Sequence, residues 1–185
     1  MKNKIILVGF MGCGKSSIGR ILAEKMHYSF QDTDDWIEAF RGKKITSIFQ
    51  TEGEEAFREM ETQCLEHFCK EQGAFVLATG GGLPEGGSIP TFSRERGEKN
   101  RRLLQQIGKV FYLKTTAQEI YGRLRGDTTR PLLQVEKPMQ EIQSLMKRRE
   151  QYYEQCAHEI IDTTGKTPEE IAEEIILRYK KGEQG

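Results

Sequence analysis

The stretch Gly9-Phe-Met-Gly-Cys-Gly-Lys-Ser16 constrains this chain more than any other. It matches Gly-x-x-x-x-Gly-Lys-[Ser/Thr], a loop whose backbone N–H groups cradle phosphates. Its surroundings suit the motif. Lys4-Ile-Ile-Leu-Val8 is a short apolar run that reads as a buried parallel strand. Beyond the loop, Ile18, Ile21, Leu22 and Met26 recur at helical spacing. Gly9, Gly12 and Gly14 let the backbone curl inward. The following helix adds its unpaired N–H groups and the positive end of its dipole. In that frame Lys15 brings a cation to the β- and γ-phosphates, and the Ser16 hydroxyl is placed to ligate Mg²⁺. A chance glycine-rich turn would not need a strand before it and a helix after it.

The chain has 185 residues, which suits one domain spanning 1–185. Lys plus Arg and Asp plus Glu balance at 28 each, which argues against a nucleic-acid partner. No apolar run is long enough to span a membrane. The N-terminus runs directly into the first strand, so no signal peptide is expected and the cytoplasm is the expected location. Cys13, Cys64, Cys69 and Cys156 lack metal-ligand spacing and read as free thiols. Cys13 lies within the phosphate loop. It is either an accessible thiol whose modification would block nucleotide or simply a tolerated small residue.

Further strands are expected at Tyr28–Asp32, Ala74–Ala78, Val110–Leu113 and Glu159–Ile161. Phe57, Met60, Cys64, Leu65 and Phe68 mark one amphipathic helix, and Ile142, Leu145, Met146 and Tyr153 another. Thr167-Pro-Glu-Glu170 is a capping box opening the last helix. This alternation predicts an α/β fold, a parallel sheet with helices on both faces. Two stretches fit poorly. Residues 85–100 are rich in Gly, Pro, Ser and mixed charge and read as an extended surface loop. Residues 124–138, with Gly126, Pro131 and Pro138, read as a lid.

Asp32 and Asp34 close the second strand. In extended backbone they would face the same way, toward the crevice at the carboxyl end of the sheet. They suit orientation of a metal-bound water and of an attacking hydroxyl. The alternative is a solvated turn capping a helix. Thr79-Gly-Gly-Gly82 follows the third strand and suggests close approach of backbone to a ligand, or a flexible exit. Arg149 shares the apolar face of its helix, so it has an anionic partner or its head snorkels outward. Arg58 could equally pair with Glu54 or Glu61 on a surface. Arg130, in the lid, suits charge stabilisation on a transferring phosphoryl group, and Arg123 ends the preceding helix.

With these residues in view the chain resembles the shikimate kinase family over nearly its whole length. The resemblance rests on the phosphate loop, Asp32-Thr-Asp34, Gly53-Glu-x-x-Phe57-Arg58-x-x-Glu61, Thr79-Gly-Gly-Gly82, Arg130-Pro-Leu-Leu133 and Arg149-x-x-x-Tyr153. It implies a three-layer P-loop kinase fold with a five-stranded parallel sheet, a substrate-binding subregion at 34–61 and a lid. It further implies that shikimate is held by Asp34, Arg58, Gly80, Gly81, Gly82 and Arg149, walled by Phe49 and Phe57. Gly12, Cys13, Gly14, Lys15, Ser16 and Ser17 would hold the ATP phosphates, with Arg130. Arg123, Lys166 and Pro168 would surround the adenine, and Ser16 and Asp32 would serve Mg²⁺. Two departures stand out: Cys13, where the family usually has Ser or Ala, and the length of the 85–100 stretch.

The expected reaction is phosphorylation of the shikimate 3-hydroxyl by MgATP, with Lys15, Asp34 and Arg130 catalytic and the chain acting as a monomer. The rival readings are another carboxylated-metabolite kinase, such as a gluconate kinase, and a P-loop nucleotide switch. The switch would leave Asp34, Arg58 and Arg149 unused, and no Asn-Lys-x-Asp guanine-reading motif is present.

Overall fold

Ile5, Ile6, Leu7 and Val8 are fully buried because their strand lies at the centre of the sheet, covered on both faces. The computed structural model describes residues 3–88, 90–125 and 135–182, the side chains at 90 and 91 excepted. Its strands are β1 (Lys4–Val8), β2 (Ser29–Asp32), β3 (Phe75–Ala78), β4 (Lys109–Lys114) and β5 (Glu159–Asp162). They form one five-stranded sheet in the order β2-β3-β1-β4-β5, and every pairing is parallel. Register sets Leu7 beside Ala78 and Val8 beside Tyr112. The expected strands agree with these to within a residue or two at each end.

The helices are α1 (Lys15–Met26), α2 (Thr33–Arg41), α3 (Ile45–Thr51), α4 (Gly53–Lys70), α5 (Pro90–Ile107), α6 (Ala117–Leu124), α7 (Pro138–Cys156) and α8 (Pro168–Lys181). Crossovers between parallel strands are right-handed. The β1-to-β2 connection runs one way along the sheet and the later ones run the other way. Accordingly α1 packs with α8 on one face, while α4, α5 and α7 pack in succession on the other. The reversal leaves a crevice at the carboxyl ends of β1, β2 and β3. None of the described helices is long and apolar enough to cross a membrane.

Local signals explain the helix starts. Gly14, at φ 99°, is the N-cap of α1. Thr116 caps α6, and Thr167 with Glu170 forms the full capping box of α8.

Two expectations are corrected. The second acidic residue is not extended: α2 begins at Thr33, and Asp32 is its N-cap, accepting the Asp34 N–H at 3.0 Å. The capping alternative therefore describes the backbone. The stretch 85–100 is not an extended surface loop either, because α5 runs from Pro90. It carries little apolar signal before Leu104 and Ile107, and polar bonds dock it. Asn100 links the Thr62 hydroxyl (2.9 Å) to the Leu83 carbonyl (3.0 Å), and Arg101 donates to the Pro84 carbonyl at 2.7 Å. Of the expected lid, residues 126–134, Arg130 among them, lie outside the described residues.

Candidate active site

The phosphate loop, α2 and the start of the glycine turn meet around a cleft of about 370 Å³. From the loop and α1 it takes Gly12, Gly14, Lys15, Ser16 and Ser17; from α2 and its cap, Asp34 and Asp32; from the turn after β3, Gly80 and Gly81; and from α6, Arg123. All of these were expected from sequence. Met11 and Thr79 line the cleft as well and were not. Their only signal was membership of the two glycine motifs, Met11 at a variable position of the phosphate loop and Thr79 at the head of the glycine turn.

Lys15 is nearly buried, and its Nζ donates to the Gly9 and Phe10 carbonyls at 2.9 Å each. Its ammonium is thereby fixed at the base of the loop. Ser16 Oγ donates to Asp32 Oδ2 at 2.8 Å, while Asp32 Oδ1 caps α2. These are hard oxygen donors on the cleft wall. The Cys13 thiol is fully buried against Lys15 Nζ (3.7 Å), so it is not an accessible thiol. Cys13 does not line the cleft.

The acidic and glycine motifs also serve each other. Thr33 Oγ1 accepts the Gly80 N–H at 2.9 Å, and the Tyr153 hydroxyl donates to the Gly81 carbonyl at 2.6 Å. A Cβ on Gly80 would lie 2.6 Å from Glu61 Oε1, and one on Gly82 would lie 2.8 Å from both terminal nitrogens of Arg58. The missing side chains thus make room for the protein's own charged groups.

Both arginines expected to meet the substrate are buried beside this turn and do not line the cleft itself. Arg58 donates from Nη1 to Glu61 at 2.8 Å and from Nε and Nη2 to Glu54 at 3.2 and 3.1 Å. The sequence left Arg58 free to choose either partner on a surface. It takes both, in the interior. Arg149 donates from Nε to Glu85 at 2.8 Å, and its guanidinium lies 6.0 Å from the Phe10 ring. Of the two readings of Arg149, the anionic partner is the one observed. Phe57 is buried and Phe49 partly exposed, and their rings lie 4.7 Å apart, away from the cleft lining.

Burial dominates the electrostatics. It pushes the fully buried Glu61 carboxyl upward, against the pull of Arg58. Burial alone would lower Arg58, but Glu61 and Glu54 carry it above the usual guanidinium value. The Cys64 thiol is pushed up by burial first and then by Glu61, Asp34 and Asp32.

Glu119 went unnoticed in the sequence, although it is the third residue of a capped helix. It accepts from Arg123 Nη2 at 2.7 Å and from the Gly165 N–H at 2.8 Å. The Gly165 bond is the main reason its carboxyl sits below the usual range. Glu119 thereby ties α6 to the segment that carries Lys166 and Pro168. Those two residues do not line the cleft: Lys166 pairs with Glu174 at 2.7 Å, and Pro168 opens α8.

The sequence model of shikimate kinase matches residues 11–180. A shikimate kinase of Thermodesulfovibrio yellowstonii is 39% identical over 185 residues, covering 100% of this chain and 99% of that protein. One from Thioalkalivibrio sulfidiphilus is 41% identical over 178 residues, covering 96% and 87%. Among solved structures, shikimate kinase from Acinetobacter baumannii in complex with shikimate matches with a TM-score of 0.84 and 38% identity, over 97% of this chain and 93% of that one.

Proposed function

The chain belongs to the shikimate kinase family, and on that premise we propose how its residues share the work. The reaction is phosphorylation of shikimate by ATP. One observation carries the assignment of roles: the phosphate loop and Asp34 open into the same cleft.

ATP places its phosphates on the N–H groups of residues 12–17, with Lys15 against the β- and γ-phosphates. Arg123, Lys166 and Pro168 flank the adenine, with Glu119 holding their two segments together. Ser16 Oγ and Asp32 Oδ2 match the hard-oxygen preference of Mg²⁺, which usually completes its shell with waters and phosphate oxygens. When bound, the ion neutralises charge on the phosphate oxygens.

Shikimate brings a carboxylate and ring hydroxyls. Arg58 and Arg149, converging on the glycine turn from α4 and α7, take the carboxylate. The Gly80–Gly82 backbone and the Phe49–Phe57 pair border the ring. Asp34 then faces the 3-hydroxyl, orients it toward the γ-phosphate and accepts its proton. Phosphoryl transfer needs mainly positioning and charge neutralisation. Lys15 supplies part of that, and Arg130, from the lid, supplies more. We assign each of these groups to one chain, so a single copy supplies the full set that the reaction uses.

ADP release from MgATP, with and without shikimate and with gluconate in parallel, tests the reading. Strong stimulation by shikimate alone is expected. Release unaffected by shikimate would overturn it; stimulation by gluconate instead would keep the fold and change the acceptor.

A further inference from the structure

Glu85 lies in the stretch that the sequence left without a task. Its carboxylate is almost wholly buried, and both oxygens are taken: Oε1 by Arg148 Nε at 2.7 Å and Oε2 by Arg149 Nε at 2.8 Å. We propose that Glu85 is a positioning residue for acceptor recognition. It holds Arg149 by Nε, so that only the Nη1–Nη2 end of the guanidinium is offered to the shikimate carboxylate. This deepens the assignment of Arg149 made above and rests on it.

A guanidinium can grip a carboxylate along its side edge, Nε with one Nη, or along its end, Nη1 with Nη2. At Arg149 the Nε hydrogen is already committed to Glu85. The side edge is therefore closed, and a planar acid must approach end-on. Fixing the fork beforehand also removes rotamer freedom that substrate would otherwise have to restrict.

Glu85 is well enough held for this work. Its N–H and that of Gly86 both donate to the Gly82 carbonyl, at 3.1 and 3.2 Å. Arg101 holds the Pro84 carbonyl at 2.7 Å, and Arg96 holds that of Gly86 at 3.0 Å. A Cβ on Gly97 would come within 2.5 Å of the Glu85 carbonyl oxygen, so α5 backs directly onto this turn. The same segment reaches the other arginine's partner, because the Ser88 hydroxyl donates to Glu54, which holds Arg58. One segment, Glu85 to Ser88, therefore braces both arginines assigned to the acceptor.

Steady-state kinetics on Glu85→Gln, Arg149→Ala and the double variant test this. Glu85→Gln should raise the KM for shikimate about tenfold, the weight of a lost charge-assisted bond, with kcat and the KM for ATP changed less than about threefold. In the double variant the Glu85 change should add nothing to Arg149→Ala. Glu85→Asp keeps the charge but withdraws the carboxylate by one methylene. It should raise the shikimate KM severalfold, and it serves if the Gln variant does not fold. A shikimate KM that stays constant or falls in both Glu85 variants overturns the proposal, a fall meaning that Glu85 competes with substrate. So does a parallel rise in both KM values, or independent effects in the double variant. If Arg149→Ala leaves the shikimate KM unchanged, the assignment of Arg149 fails and takes the proposal with it. If that variant raises the KM and the Glu85 variants do not, only the role of Glu85 is lost.

Discussion

Arg58 and Glu61, three residues apart on α4, form an ion pair at 2.8 Å, and the Glu61 carboxylate is fully inside the protein. Glu61 Oε1 has no hydrogen-bond partner among the described residues and abuts Gly80. Removing one member of such a pair strands the other charge, which typically costs about 3 kcal/mol or more. Glu61→Ala should therefore lower unfolding free energy by about 3 kcal/mol in urea titrations. A loss below about 1 kcal/mol would mean that Glu54 alone satisfies Arg58.

Gly82→Ala tests whether the triple glycine exists to admit Arg58. The added Cβ would meet both terminal nitrogens at 2.8 Å. These are the far end of a flexible side chain, so the guanidinium should shift and the backbone should stay. Displacing a substrate-positioning group by a fraction of an ångström is expected to raise the shikimate KM about tenfold. The KM for ATP should hold. If both constants stay at wild-type values, Arg58 does not position the acceptor.

Asp34 carries the proposed proton transfer. Asp34→Asn preserves size and the first turn of α2, whose cap comes from Asp32. ATP affinity, measured by equilibrium titration, should be retained, while kcat falls about 10²-fold or more. Turnover near wild type would remove Asp34 from the chemistry and leave it an orienting role.

The sequence revealed parts of this arrangement unevenly, for physical reasons. β1 was legible because a central parallel strand is apolar on both faces, and α8 because its capping box is local. The helix from Pro90 was not, because Asn100, Arg101 and Arg96 dock it through polar bonds to distant residues. Composition alone cannot distinguish such a segment from a solvated loop. The ion pair of Arg149 with Glu85 spans 64 residues and leaves no periodic trace. Arg58 illustrates a different gap. Its helical neighbours Glu54 and Glu61 were visible as partners, but nothing local announced that the cluster would be covered by Gly82 and Gly87. Asp34 reached the expected cleft by another route, through a helix turn.

His158 gives the fold a pH dependence whose sign follows from one hydrogen bond. Its ring Nδ1 accepts the Val110 N–H at 3.0 Å, and its backbone N–H donates to the Val110 carbonyl at 2.9 Å, tying the start of β5 to β4. An imidazolium cannot accept, so the bond requires the neutral ring. Burial first, and then the charge of Lys109, hold its pKa below the ordinary value, with Glu159 opposing. The unfolded chain titrates near the ordinary value of about 6.5. Below that pH it takes up a proton that the native state resists, so the stability contribution, complete above about 6.5, declines as pH falls toward the folded pKa. Thermal unfolding should thus show Tm dropping between about pH 7.5 and 5.5. His158→Asn places a non-titrating oxygen near the Nδ1 position and should flatten that slope while keeping the Val110 bond. Equal slopes in the two proteins would assign the acid sensitivity to other groups.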